Sequence, residues 1–369
     1  MSRQPAWDER PRLVLVSALL GVAVLAAACG DSSPSTSAST SPEEPSATEP
    51  VRGSGSTSDE VAFPVTVEHR FGATEFEAEP ERVVSLGFQE HDTIFALGVE
   101  PVAVRYWYGD EDDVIFPWAE VAAGDADPEI LKMPFGELNY EKIAALEPDV
   151  ILGVYAGLTE EEYDTLSAIA PTVSQSADFV DFGQPWQDAT RTIGTVLGRS
   201  DKAESLIAEV EDRFADVRDD HPEWGDLQLA VATLGEDGLG AFAFEDLRSR
   251  FFTELGFTVP TAIDDAAGDL FYAMLGLERA DIVDTDVLVW DQVAFTPGGR
   301  PAIEAEPVLA GLDAMAEGRA VFIGEFEDAF AWNSVLSLPV ALDGIVPMLE
   351  RATDGDPATE PSPTSGGEG

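Results

Sequence analysis

From residue 82 onward the chain alternates between two hydrophobic patterns. Short apolar runs rich in β-branched residues, "RVVSLG", "PVAV", "DVILGV" and "PTVSQ", show no polar alternation, as expected of strands buried on both faces. Between them lie "HDTIFALG", "YEKIAALEP", "TEEEYDTLSAIA" and "WQDATRTIGTVLG". Their apolar residues fall three and four apart and predict helices, the first stopped by Gly98. Strands and helices that take turns in this way predict a mostly parallel sheet with helices on both faces. Ahead of this region "FPVTVEHRFGATEF" alternates around Gly72 and predicts a hairpin.

The alternation breaks once. From Ser200 to about Asp220, Ala203, Leu206, Ile207, Val210, Phe214 and Val217 share one helical face. Asp201 with Glu204 resembles a capping box at its start. The pattern then restarts with strand "LQLAVATLG", helices "DLRSRFFTELG" and "LERADIVDTD", strand "VLVWDQ", helix "EPVLAGLDAMAEG", strand "AVFIGE" and a last helix from about Asn333 to Arg351. The fold class is α/β, two lobes with one long helix between them.

The lobes repeat a phrase. "YEKIAALEPDVIL" (Tyr140 to Leu152) and "LERADIVDTDVLV" (Leu277 to Val289) align without a gap, placing Glu141 on Glu278 and Asp149 on Asp286. "FALGVEP" is likewise echoed by "TELGFTVP". The first lobe is longer by about twenty residues, which fall near "RYWYGDEDDVIFPWAEVAAGDADPE". Arg105, Tyr106, Trp107, Tyr108 and Trp118 gather there, after a strand. Open α/β sheets bind ligands beyond the carboxyl ends of their strands, and an arginine among rings offers both stacking and directed donors. Taken singly, each ring reads equally well as packing for the insertion. Tyr155 stands at a strand end in the same lobe. In the second lobe Trp290, which reads equally as core, and Trp332 are the counterparts, with Phe242, Phe244, Arg248 and Phe330 nearby.

Composition narrows the function. The chain has 369 residues, enough for two ordinary domains. It opens with Arg3, Arg10 and Arg12 and an uncharged run, "LVLVSALLGVAVLAAA", that ends at its single cysteine, Cys29. The run is short and finishes in small residues, which predicts a signal peptide over residues 1–28. Cys29 is then either a chance small residue or, because the segment resembles a bacterial lipoprotein signal, the lipidated first residue of the mature chain. Ala26 stands where such signals more often have leucine. Residues 29–60 are rich in Ser, Thr, Pro and Glu and predict a disordered tether with a reach on the order of 30 Å. A similar tail is expected over residues 353–369. The formal net charge of −51 argues against a nucleic-acid partner. The chain has no Walker loop, no Gly-x-Ser-x-Gly elbow and no His-Glu-x-x-His, and its three histidines, His69, His91 and His221, are scattered. No catalytic residue and no metal site are expected.

The segments "PERVVSLGFQEHDTIFALGVEPVAV", "NYEKIAALEPDVILG", "LSAIAPTV", "LGRSDKAESLIAEVEDRF" and "SLPVALDGIVP" resemble, in order and spacing from about residue 64 to 351, the iron-siderophore substrate-binding proteins of ABC importers. The resemblance implies Rossmann-like lobes over residues 61–198 and 223–352, a rigid interdomain helix over 199–222, and a ferric siderophore held in the cleft between the lobes. It implies only modest lobe motion on binding. The iron complex is a ligand, not a cofactor, and no enzymatic activity is implied. An ABC permease dimer with its ATPase is the implied partner of a monomer attached to the membrane by its lipid anchor only. In that family one glutamate on each lobe docks onto permease arginines, and Glu141 and Glu278 occupy those positions; singly, either reads as a solvated helix residue. For the ligand, Arg105, Tyr106, Trp107, Tyr108, Tyr155, Trp290 and Trp332 are the expected contacts, with Arg248 and Arg300 as helpers. A neutral or weakly cationic hydroxamate complex suits so acidic a body better than an anionic catecholate. The alternatives are a haem or corrinoid binder of the same fold, with His91, Tyr108 or Tyr155 as axial ligand, or a ligand-sensing domain.

Overall fold

The computed structural model describes residues 63–362 apart from 110, 111, 113 and 135; Cys29, the signal-like segment and the tether lie outside the described residues. The expected hairpin is present, β1 (Val65–His69) pairing antiparallel with β2 (Gly72–Phe76). Gly72 makes the turn at φ +127°, a conformation open to glycine.

The first lobe is built on β3 (Val83–Ser85), β4 (Ala103–Arg105), β5 (Glu129–Leu131), β6 (Val150–Gly153) and β7 (Thr172–Ser174), all parallel, in the order β5-β4-β3-β6-β7. Alternate residues feed opposite cores. Val83, Val150 and Leu152 pack with Ile94, Leu97, Ile193 and Val196, while Val84 and Ile151 pack with Ile143 and Leu166 on the other face. Helices on both sides leave no face of the sheet to water, which is why these strands read as unbroken apolar runs.

The second lobe holds β8 (Leu229–Gly235), β9 (Gly238–Phe242), β10 (Tyr272–Leu275), β11 (Val287–Trp290) and β12 (Ala320–Phe322) in the order β10-β9-β8-β11-β12. This is the strand order of the first lobe, but the sheet is mixed. β9 turns straight back from β8, and β9 is antiparallel to both neighbours. The segment after Gly256, which follows the repeated Leu-Gly phrase as β4 does in the first lobe, makes a single parallel bridge, Gln228 to Thr258.

The repeated aspartates do the same work in each lobe. Asp149, just before β6, accepts from the backbone N–H groups of Glu81 (2.7 Å) and Arg82 (2.8 Å), ahead of β3. Asp286, just before β11, accepts from Gln228 N–H (2.8 Å), ahead of β8. Each ties the entrance of the lobe's central strand to its neighbour beside the first backbone bond between them, Asp149 N–H to the Arg82 carbonyl in one lobe and Val287 N–H to the Gln228 carbonyl in the other.

The helix Ser200–Asp220 lies between the lobes in the chain and spans about 30 Å. Its stripe passes from one core to the next: Ala203 belongs to the first-lobe core, and Ile207, Val210 and Phe214 belong to the second. Gly194 of the preceding helix, Trp186–Val196, leaves room for Ala203, whose Cβ would lie 2.5 Å from a Cβ at that position. The expected capping box is absent. Arg199 is the N-cap without a side-chain bond, and Glu204 instead pairs with Arg191 (2.9 Å). "LERADIVDTD" forms a 3₁₀ segment, Leu277–Val283, rather than an α-helix, and the last helix starts at Ser337, after a left-handed Asn333.

Part of the tail expected to be disordered is ordered. Ser362 is buried, its hydroxyl accepting from Phe322 N–H (2.7 Å) on the edge strand β12, and Arg351 holds the Pro361 carbonyl (2.6 Å). Covering a sheet edge in this way blocks pairing with another chain. Among the described residues no helix is long and apolar enough to cross a membrane.

Candidate functional site

The carboxyl ends of β3, β4 and β6 deliver Phe88, the Arg105–Tyr108 segment and Tyr155 to one edge of the first lobe. Beneath them lies Glu90, fully buried at the start of the helix Glu90–Ala96. Its carboxylate accepts from Tyr155 N–H (2.8 Å), Gly87 N–H (3.1 Å) and Ser85 Oγ (3.3 Å). Phe88 N–H in turn donates to the Tyr155 carbonyl (3.1 Å), so the two strand ends are tied together. Gly87 has no space for a side chain, because the Glu90 carboxylate lies 2.0 Å from where a Cβ would be. Burial pushes the Glu90 pKa up to about 7, against the hydrogen bonds of Tyr155, Gly87 and Ser85.

Trp332, at the end of the second-lobe helix Glu327–Trp332, reaches across to the rings of the first lobe. Its ring centroid lies 5.0 Å from Phe88, 5.2 Å from Tyr108, 4.7 Å from Phe116 and 5.2 Å from His91. Phe116 stacks on Trp118 at 4.5 Å, and Phe88 touches Trp107 and Tyr108. The Tyr108 hydroxyl donates to the Asp328 carbonyl (3.5 Å). Below this cluster Asp92 accepts from Ser334 Oγ of the second lobe (2.6 Å) and from Trp118 Nε1 (2.8 Å). Burial raises its pKa to about 6 despite those bonds. On the far side Phe182 meets Phe271 of the second lobe at 5.8 Å and accepts the Tyr155 hydroxyl at its carbonyl (2.6 Å).

The second-lobe wall is ionic. Arg248 is buried between two carboxylates, its Nε 2.6 Å from Asp291 Oδ2 and its Nη1 3.3 Å from Asp246 Oδ1, with the guanidinium over the Phe242 ring. Asp246 also caps the helix Leu247–Glu254. Burial works against the Arg248 charge, but the two aspartates outweigh it and raise its pKa. Glu327 is pushed up to about 7 by burial and then by the charge of Asp291.

Of the residues expected from sequence, Trp107, Tyr108, Tyr155 and Trp332 belong to this cluster. Tyr106 lies beside it, its hydroxyl toward the Gly109 carbonyl (3.4 Å). Arg105 is buried and donates to the carbonyls of Met133 (3.1 Å) and Pro134 (2.5 Å), its guanidinium 4.4 Å from the Trp107 ring; it fastens the loop after β5. Two expectations need correction. Trp290 is fully buried in the second-lobe core against Phe322, donating to Met315 Sδ (3.3 Å), because its place on β11 has the same parity as Leu288 and points away from the cleft. Arg300 pairs with Glu304 and Glu360 over the Phe322 ring, outside the cleft. His91 is fully buried with Nε2 3.2 Å from the Val114 carbonyl, and burial lowers its pKa to about 4. Glu141 and Glu278 are exposed, and among the described residues their side chains make no hydrogen bond or ion pair. Sequence reasoning missed Phe88, Glu90, Asp92, Phe116, Phe182, Asp246 and Asp291. Phe88 and Asp291 each follow a strand end, and that position is the signal that would have found them.

The sequence profile of the family described as periplasmic binding protein matches residues 83–325. The ferric-anguibactin-binding protein FatB of Vibrio anguillarum is 28% identical over 299 residues, covering 77% of this chain and 87% of its own. A solved periplasmic solute binding protein of Mycobacterium smegmatis aligns with a TM-score of 0.67 at 35% identity, over 78% of this chain and 98% of its own. PiaA of Streptococcus pneumoniae, solved in complex with ferrichrome, aligns with a TM-score of 0.69 at 25% identity, over 79% and 99%.

Proposed function

The chain belongs to the periplasmic binding protein family, and from that premise we propose that it is an extracytoplasmic lipoprotein that captures a ferric siderophore, of hydroxamate type, and delivers it to an ABC permease for iron uptake. Proteins of this kind hold ligands and carry out no reaction on them. The observation that carries the reading is the ring cluster in which Trp332 of one lobe meets Phe88, Tyr108 and Phe116 of the other. A siderophore fills the coordination shell of its iron, so what remains to recognise is an outer surface of carbon scaffold and oxygen atoms, suited to rings with a few directed donors. FatB is named for binding ferric anguibactin, and PiaA was solved with ferrichrome. Both names support an iron complex as cargo.

The hydroxamate preference rests on charge. Arg248, the guanidinium of the second-lobe wall, already faces Asp246 and Asp291, so little positive potential is left for a multiply anionic catecholate complex. Cys29 is proposed as the lipid attachment site, and Glu141 and Glu278 as the permease contacts of a monomer.

The test is quenching of tryptophan fluorescence in the folded body from about residue 60 onward, titrated with ferrioxamine B, ferrichrome, a ferric catecholate and haemin. Trp107, Trp118 and Trp332 lie in the cluster, so saturable quenching by a hydroxamate below about 1 μM is expected. A response to the catecholate alone overturns the charge argument, and a response to haemin alone overturns the siderophore. In cells, Cys29→Ala is expected to leave the membrane fraction for the medium; full retention refutes the anchor.

A further inference from the structure

Asp291 directly follows β11 and is 1% exposed. One of its oxygens, Oδ2, takes Nε of Arg248 at 2.6 Å; the other, Oδ1, has no hydrogen-bond partner of good geometry, although the Gln292 N–H lies close to the carboxylate. A buried carboxylate oxygen without a well-placed donor is costly, and native proteins rarely leave one without a purpose. Glu327 accepts from Val293 N–H (2.9 Å), two residues beyond Asp291, which brings the start of the helix Glu327–Trp332 against the Asp291 loop. Asp328 follows it, and its carbonyl holds the Tyr108 hydroxyl. Tyr108 in turn packs edge-on against Trp332.

Charge along this wall is one-sided. Asp246, Asp291, Glu327 and Asp328 stand against Arg248, whose bonds go to the first two, and Arg250 reaches this group only through the charge of Asp246. Glu327 and Asp328 both feel burial and then the Asp291 charge, and no basic side chain offsets either. Among the described residues no three potential ligands converge closely enough to hold a bare metal ion. A primary ammonium on an alkyl arm is a better match. It donates three hydrogen bonds to separated oxygens, and it is attracted to ring faces beside them.

We infer that the second-lobe wall of the cleft holds a subsite for a ligand-borne ammonium group, formed by Asp291 Oδ1 with the carboxylates of Glu327 and Asp328 and walled by Tyr108 and Trp332. The inference rests on the siderophore reading above and narrows it: the preferred cargo is a ferric hydroxamate complex that carries a free amine.

The test compares ferrioxamine B, which has a primary ammonium, with its N-acetylated, uncharged form, by titration of the folded body. The amine form is expected to bind at least about tenfold tighter. In Glu327→Gln with Asp328→Asn, which keeps an acceptor for Val293 and leaves the Asp328 carbonyl in place, the ratio of the two affinities is expected to collapse toward one. Equal affinities in the unaltered protein, or a ratio that survives the double substitution, overturn the subsite and leave the siderophore reading standing. Binding of neither form, with ferrichrome also silent, overturns both.

Discussion

Three donors converge on the Glu90 carboxylate: the Tyr155 and Gly87 amides and the Ser85 hydroxyl. An acid side chain supplies oxygens to all of them, whereas an alkyl side chain supplies none. Glu90→Leu, close in size, is therefore expected to cost about 2 kcal/mol of folding free energy. Urea denaturation checks this, and a loss below about 0.5 kcal/mol would sink the argument. Siderophore affinity should fall with it, because Phe88 and Tyr155 lose their common support. At this scale the sequence was only partly legible. The adjacent aromatics Trp107 and Tyr108 announced themselves as a group, but Phe88 stands alone in sequence and joins them only when β3 and β4 lie side by side. Trp290 and Trp332 looked alike as candidates. Parity separates them: Trp290 shares a face with Leu288, while Trp332 ends a helix that points at the other lobe.

The repeat gains its meaning at the scale of elements. The segments Tyr140–Ala145 and Leu277–Val283 each deliver the chain to the strand next to the central one, β6 beside β3 and β11 beside β8. Glu141 and Glu278 sit at the starts of those segments, exposed and unpaired among the described residues. Two lobes of equal strand order thus offer one carboxylate each, the arrangement that suits a partner with two-fold symmetry. Glu141→Arg with Glu278→Arg is expected to lower siderophore uptake by whole cells at least about tenfold while leaving affinity in solution unaltered; intact uptake would remove the docking role. Elements with their own local signal were readable, among them the hairpin, the parallel strands and the long helix. The hidden ones lacked it. β5 has three residues, and β9 is "GLGAF", without a β-branched side chain. Gly240 is the reason in part: the Tyr272 hydroxyl lies 1.8 Å from where its Cβ would be, so a glycine that looks like a breaker is a close approach inside the sheet.

For the whole molecule the governing quantity is charge, 71 acidic residues against 20 basic ones. Most of those carboxylates have no cation to face, so folding gathers like charges that the unfolded chain keeps apart. The Debye length falls from roughly 30 Å at 0.01 M salt to roughly 3 Å at 1 M, and the melting temperature is accordingly expected to climb by several degrees over that range. A flat curve would refute self-repulsion as a term in stability. Acid should act in the same direction through different groups. Glu90 and Glu327 are raised from 4.5 to about 7, and Asp92 from 3.8 to about 6, in each case chiefly by burial. At these three groups, between the ordinary and the raised values, the folded state binds more protons than the unfolded one, so they make stability fall as pH rises through that window; His91, lowered from 6.5 to about 4, opposes them below 6.5 but is one group against three. The protein should therefore melt higher at pH 5 than at pH 8. The two effects separate by their response to salt: screening reaches surface repulsion but not the desolvation of a buried carboxyl. At 1 M salt the difference between pH 5 and pH 8 is expected to shrink without vanishing. Its complete loss would mean that the buried carboxyls contribute nothing and that surface charge alone sets the pH dependence.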